Sequence, residues 1–339
     1  MNHSVPFGIT LTQHALKQGA ANPQLGPQYS TLMTQIGVAG KLIAAQVRRA
    51  GLIEIWGETN EVNVQGERVQ KLDRIANDTL VKVLRRSGCV HTMASEEEDE
   101  LISVDPSTQG RFNVVFDPLD GSSNIDVSIS IGTIFGIYQA NDQEVPSAQV
   151  LRMGSELVGA GYLVYGSSTV LVYTDGKTVD CFTLDPSSGE YFLTRGDIKF
   201  PNTRAYLSIN ECNAPYWPGW VHSFLQRMKG LNEGPKRLVS GRHIGSLVSD
   251  FHRNLIKGGT YLYPADKRTG RGKLRLLYEA NPLAFIAEVA GGTATSGEGR
   301  ILKLQPTELH QRCGLVIGSR EDVELVEALI NAAPGGANR

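Results

Sequence analysis

Apolar residues recur at helical spacing near the start of this chain, at strand spacing in its middle, and at helical spacing again toward its end. Leu32, Ile36, Ala39, Ile43 and Val47 predict a helix over residues 30–49. Arg48 and Arg49 fall in its last turn, where the helix dipole favours cations, and Gly51 is placed to end it. Val69, Leu72, Ile75, Ala76, Leu80, Val83 and Leu84 predict a second helix over 67–86, and the stretch between, 57–66, is turn-rich. Val90 to Ala94 reads as a strand, and from Arg111 the pattern is β: Val114-Val115-Phe116, then 129–138 and 163–173, with Asp175-Gly176 as a hairpin turn. Pro201 breaks the pattern, and the half that follows is more helical, with helices at 246–256 and 282–290. The latter has Asn281 as N-cap, Pro282 at its first position and Gly291-Gly292 at its end. Residues 1–28, polar and rich in Gly, Pro and Gln, read as a mobile arm, and 332–339 as a frayed tail.

Length then bounds the organisation. At 339 residues the chain suits about two domains of mixed α/β (α+β) class, expected at 29–199 and 200–331. A hydrophobic fraction of 41% builds a substantial core and excludes wholesale disorder. Lys and Arg number 33 against 35 acids, a net charge of −2, so no general basic surface offers itself to nucleic acid. No apolar run is long enough to span a membrane, and residues 1–19 lack the charge and apolar pattern of a secretory leader. Cys89, Cys181, Cys212 and Cys313 are scattered, with no C-x-x-C pair and no His at zinc spacing, and read as reduced, mostly buried thiols. A cytoplasmic enzyme is expected, in which the Asn77-Asp78-Thr79 sequon carries no meaning.

The candidate chemistry is acidic. In Phe116-Asp117-Pro118-Leu119-Asp120-Gly121-Ser122-Ser123-Asn124, two carboxylates three residues apart follow a buried strand, which Pro118 is expected to end at Asp117. The small-residue turn after Asp120 offers backbone N–H groups to an anion. Carboxylates beside an anion site repel the anion unless a hard divalent cation, Mg²⁺ or Mn²⁺, lies between them. By itself the segment also reads as a plain Asp-Gly surface turn. A second cluster, Glu96-Glu97-Glu98-Asp99-Glu100, would ordinarily be a solvated face, but it too follows a strand, so Glu96 and Glu97 can converge with Asp117 and Asp120 on a metal pair.

Opposite in sign, Lys267, Arg268, Arg271, Lys273 and Arg275 place five cations in nine residues, suited to a second phosphate or simply to a solvated loop. Glu279 reads either as a further ligand or as charge complementing a helix start. Asp73 borders the apolar stripe of the second helix, where it can hold a water or be an ordinary flank residue; Asn210 is a phosphate contact or an Asn turn.

The acidic segment with its upstream Ser95-Glu96-Glu97 resembles the class I fructose-1,6-bisphosphatases of the lithium-sensitive, metal-dependent sugar-phosphatase superfamily. Lys71-Leu-Asp73, Gly132-Thr-Ile-Phe-Gly-Ile-Tyr138, Ala160-Gly-Tyr-Leu-Val-Tyr-Gly-Ser-Ser168, Tyr261-Leu-Tyr-Pro-Ala265 and Lys273-Leu-Arg-Leu-Leu-Tyr-Glu-Ala-Asn-Pro282 resemble family segments in the same order, over about residues 30–320. The resemblance implies a layered α-β-α-β-α sandwich assembled as a homotetramer. It implies that Glu96, Asp117, Asp120, Glu279 and the Leu119 carbonyl hold two or three Mg²⁺ ions (Mn²⁺ as the alternative), with Glu67 as a supporting acid. Glu97 and Asp73 would position and deprotonate the attacking water. Asp120, Gly121, Ser122, Ser123, Asn210, Tyr263 and Lys273 would hold the sugar and its phosphates, and Arg242 would reach the 6-phosphate of a neighbouring subunit. Departures are His243 and Asn213, where Tyr is common, Gly26-Pro-Gln-Tyr-Ser30 in place of the turn that serves AMP inhibition in animal enzymes, and no Cys in 140–152 for the chloroplast thiol switch.

The resulting expectation is hydrolysis of the 1-phosphate of fructose 1,6-bisphosphate, in gluconeogenesis or the Calvin cycle. The rivals are a sedoheptulose-1,7-bisphosphatase or bifunctional enzyme, an inositol monophosphatase, which would leave the cationic loop without a second phosphate, and a non-catalytic metal- or metabolite-binding protein on the same fold.

Overall fold

The computed structural model describes residues 8–22, 25–50, 52, 58–62, 68–141, 143, 145–201, 204–230, 239–268 and 270–332, with the backbone alone for 58–62 and 68–70. Its first element lies where the sequence suggested a mobile arm. Thr10 and Gln13 form a capping box, each side chain bonded to the other's backbone N–H, and helix α1 runs Leu11–Ala21. Leu11, Ala15 and Gly19, at four-residue spacing, are its buried face. The arm reading of 1–28 is corrected there: one narrow apolar stripe in a polar helix is enough once a partner covers it. Helix α2 spans Gly26–Val47, starting earlier than expected because Pro27 suits a first turn, and ending before Arg48 and Arg49.

A hairpin of β1 (Glu58–Val62) and β2 (Arg68–Gln70) follows, so Val69 belongs to a strand, and helix α3 is Lys71–Arg85. Gly51, Gly57 and 63–67, Glu67 included, lie outside the described residues.

The middle of the chain makes one eight-stranded sheet from β3 (Val90–Ser95), β4 (Ile102–Ser103), β5 (Phe112–Asp120), β6 (Ile131–Gln139), β7 (Leu157–Tyr165), β8 (Thr169–Thr174), β9 (Val179–Asp185) and β10 (Glu190–Arg195). Its order is β10-β9-β8-β7-β6-β5-β3-β4, antiparallel except for the parallel pair β3–β5. The segment 163–173, expected as one strand, is split between β7 and β8 by a turn at Gly166-Ser167-Ser168. The Asp175-Gly176 turn joins β8 to β9 as expected.

Side-chain alternation then sorts the layers. Ile137, Leu163, Leu171 and Tyr173 face a core shared with α1, α2 and α3. Ile134, Tyr162, Val164 and Val172 face the opposite side, against Leu247, Val248 and Phe251 of α5 and Leu283, Ala284 and Ile286 of α6.

The second half supplies β11 (Tyr206–Ser208), α4 (Gly219–Met228), β12 (Ser240–Gly241), α5 (Leu247–Lys257), β13 (Gly259–Tyr263), β14 (Leu274–Arg275), α6 (Asn281–Val289), β15 (Thr293–Thr295), β16 (Arg312–Cys313), β17 (Leu315–Gly318) and α7 (Arg320–Ala332). Its main sheet has the order β12-β11-β13-β17-β15. Tyr261, Leu315 and Ile317 turn toward the α5–α6 layer, while Leu207, Leu262 and Val316 pack on α4 and α7. Helices, sheet, helices, sheet, helices: the five expected layers are present.

Asn281 is not the cap it was expected to be, because a π-helical turn, Leu276–Ala280, runs directly into α6 and buries Asn281 completely. Among the described residues no helix is long and apolar enough to cross a membrane, and all four cysteines are free, with Cys212 the exposed one.

Candidate active site

The parallel pair β3–β5 sets the site. Its register places Ser95 opposite Phe116, and Glu96 N donates to the Phe116 carbonyl at 3.1 Å, so Glu96 leaves one strand beside Asp117 on the next. Side by side, these two strand ends deliver their acids to one edge of the sheet.

β5 does not end at Asp117. It continues through Pro118 to Asp120, with a bulge against β6 at that point. Pro118 is tolerated there because the irregular register asks no ladder bond of its missing N–H. Asp117 Oδ1 accepts the N–H of Leu119 at 2.9 Å, and the Pro118 carbonyl accepts Thr133 Oγ1 at 2.8 Å, which pins the bulge.

Asp120 faces the start of α5, where its Oδ2 accepts Ser246 Oγ and Val248 N, both at 2.9 Å. Gly121 next to it adopts φ +80°, and a Cβ there would lie 2.9 Å from Ser246 Cβ, so the position needs glycine twice over. Ser122–Val127 then winds into a 3₁₀ turn, tied across by Asn124 Nδ2 to the Gly245 carbonyl at 3.1 Å.

Glu279 arrives from the other half of the chain, on the π-helical turn, and is held by the backbone N–H of Arg275. Carboxylate oxygens of Asp117, Asp120 and Glu279 all lie within 4.8 Å of one another, and all three residues are buried. Burial first, then the neighbouring charges of Glu96 and Asp120, hold the carboxyls of Asp117 and Glu279 well above the usual range. Burial likewise raises Asp120 to about 6, opposed by its bonds at the start of α5. An all-oxygen set that repels itself in this way fits a hard divalent cation.

The remaining expected residues divide. Leu119 is buried between the two aspartates. Glu96 stands at the rim of the cluster, 3.5 Å from Arg275 Nε. Asp73 is 4% exposed, on the buried face of α3, and Glu97 is half-buried at the end of β3. Glu67 lies outside the described residues.

Asn210 caps the turn Glu211–Tyr216, accepting Cys212 N at 3.1 Å, and shares a cleft with Tyr263, Asn213 and Trp217. The parallel neighbours β12, β11 and β13 end at one edge, which carries Arg242, Asn210 and Tyr263. The five-cation loop is not one grip. Arg275 is buried and turned to Glu96; Arg268 is paired with Asp266 at 2.5 Å and stacked 4.3 Å over Tyr216; Lys273 is exposed.

Sequence patterns miss Ser246 and Asp250, and group Arg275 with the phosphate-binding cations although it turns inward to Glu96. Asp250, fully buried, accepts Ile244 N at 2.9 Å and Gly245 N at 3.1 Å and thereby shapes the loop that follows Arg242. Gly245-Ser246 before a helix is legible as a cap; that its hydroxyl meets Asp120 is not.

Comparison with known proteins identifies the family. Residues 9–196 match the family described as fructose-1-6-bisphosphatase, N-terminal domain, and 200–331 its C-terminal domain. The chain is 45% identical to a cytosolic fructose-1,6-bisphosphatase of Spinacia oleracea over 96% of this chain and 95% of that protein. It is 45% identical to a class 1 enzyme of Chlorobium chlorochromatii over 94% and 97%. The crystal structure of Leishmania major fructose-1,6-bisphosphatase in holo form superposes with a TM-score of 0.89 at 40% identity, covering 96% of this chain and 99% of that one. By both sequence and fold, the chain belongs to the fructose-1,6-bisphosphatase family.

Proposed function

We propose that this protein is a divalent-cation-dependent phosphatase that releases the 1-phosphate of fructose 1,6-bisphosphate to give fructose 6-phosphate. The observation that carries the reading is the convergence of three buried carboxylates, Asp117, Asp120 and Glu279, at the edge where β3 delivers Glu96. These four acids, with the Leu119 carbonyl, would hold Mg²⁺ or Mn²⁺, two or three ions in all. Such ions, when bound, polarise a phosphoryl oxygen and make water acidic enough to attack at neutral pH.

The chain's own residues do the rest. Glu97 and Asp73, acting as a pair, take one proton from the attacking water as its oxygen bonds to phosphorus; the bond from phosphorus to the C1 oxygen breaks, and that oxygen takes up a proton from solvent to leave as the alcohol. Backbone N–H groups after Gly121, with Ser122 and Ser123, face the phosphate under attack. Asn210, Tyr263 and Lys273 hold the sugar and the second phosphate, and Arg242, exposed at the sheet edge, serves a neighbouring subunit of a homotetramer. We place the enzyme in the cytoplasm, in gluconeogenesis or carbon fixation.

The test is phosphate release from fructose 1,6-bisphosphate, sedoheptulose 1,7-bisphosphate and inositol 1-phosphate with Mg²⁺, with and without Li⁺ and AMP. The first substrate is expected to be preferred, and Asp117→Ala or Glu96→Ala to lose about a thousandfold in kcat while staying folded. Full activity in either variant, or no release from the first substrate, would overturn the proposal.

A further inference from the structure

Asn77 has no part in the chemistry above, yet it is 1% exposed and both ends of its amide are engaged. Nδ2 donates to Glu98 Oε1 at 2.7 Å, and Oδ1 accepts Ser95 Oγ at 2.7 Å. Ser95 Oγ in turn accepts Glu97 N at 3.3 Å, and Glu98 N donates to the Ser95 carbonyl at 3.3 Å. From the far side, His310 Nε2 lies 3.1 Å from the Glu98 carbonyl, and its ring centroid is 5.5 Å from that of Tyr278, the neighbour of Glu279. The loop bearing Glu96 and Glu97 is thus gripped from two directions, by α3 and by the segment at His310.

Asn77 also stands four positions after Asp73, on the same buried face of α3. Its neighbours on that face, Leu72, Ala76, Leu80 and Leu84, show what packing alone would select. A buried amide in their place costs free energy unless every bond is made, and here the bonds reach the one loop that carries Glu97.

Resting on the hydrolase reading just given, we infer that Asn77 is a positioning residue, a strut that fixes Asp73 on α3 against Glu97 on the acidic loop so that both face the same water. A misplacement of about 1 Å between such groups is enough to cost orders of magnitude in turnover.

The experiment is a kinetic double-mutant cycle on the full chain with Mg²⁺ and fructose 1,6-bisphosphate. Wild type, Asp73→Asn and Glu97→Gln come first: if wild type releases no phosphate the hydrolase reading fails, and if both variants match an active wild type the roles of Asp73 and Glu97 fail; either outcome takes the strut with it. With that baseline in place, Asn77→Ala is expected to lower kcat about tenfold with KM within about twofold, and to cost less than about threefold more in either the Asp73→Asn or the Glu97→Gln background. Ser95→Ala, which removes one hydroxyl and little volume, is expected to show the same pattern at smaller amplitude and decides the matter if Asn77→Ala does not fold. A residue that merely stabilises the fold would lower the active fraction equally in every background. Losses that multiply, or a folded variant with wild-type kcat, would overturn the inference while leaving the hydrolase reading intact.

Discussion

Gly121 sits where two loops from opposite halves of the chain touch. Its φ of +80° and the 2.9 Å approach to Ser246 leave no room for a side chain, and the same loop carries the Ser246 hydroxyl to Asp120. Gly121→Ala is therefore expected to lower stability by about 1–3 kcal/mol and, by displacing Asp120, to lower kcat more than about tenfold, read by urea titration and phosphate release. At this scale the sequence named most of the acids, because strand-end carboxylates next to a Gly-Ser-Ser turn are a local signal. It missed their partners. Arg275 looked like one of five phosphate-binding cations, and its turn inward to Glu96 depends on the pairing of β14 with β16, which no local pattern carries.

Helices and strands were legible where the apolar stripe was broad and less so where it was narrow. α1 went unseen because its buried face is only Leu11, Ala15 and Gly19, although Thr10 and Gln13 spell a capping box. Thr10→Ala is expected to cost about 1 kcal/mol, seen as a lower denaturant midpoint with kcat unchanged. Strands β7 and β8 were merged because Gly166-Ser167-Ser168 lacks the Asn-Gly or Asp-Gly signature of a tight hairpin.

Where α5 crosses β7, His252 Nδ1 lies 2.9 Å from Tyr162 OH, and burial, helped by the charge of Arg195, lowers the imidazole to about 4. Unfolded, the same group titrates near 6.5, so between the two values the unfolded chain holds the extra proton and stability rises with pH. The contribution, up to about 3 kcal/mol, is present above 6.5 and lost as pH falls toward 4. His252→Gln is expected to flatten the difference between denaturant midpoints at pH 7 and pH 5; an unchanged difference would refute the assignment.

For the molecule as a whole, mixed α/β class followed from the periodicities, whereas the five-layer stacking followed only from the family resemblance, since which helix covers which face is decided by side chains far apart in sequence. The carboxylate cluster couples those layers at a cost. Asp117, Asp120 and Glu279 repel one another in a buried place, so the cation-free fold carries strain that Mg²⁺ would relieve. Added Mg²⁺ is expected to raise the thermal midpoint of wild type by several degrees. Asp117→Asn is expected to raise the midpoint in EDTA by about 2–4 °C, to blunt the response to Mg²⁺, and to abolish turnover. A lower midpoint for this variant in EDTA would show that the repulsion is offset elsewhere.

The late arrival of Glu279 has a consequence for synthesis. A ribosome that has released the eight-stranded sheet has already produced Asp117 and Asp120, but the carboxylate that joins them is still unmade. A chain that ends before Glu279 therefore cannot assemble this cluster.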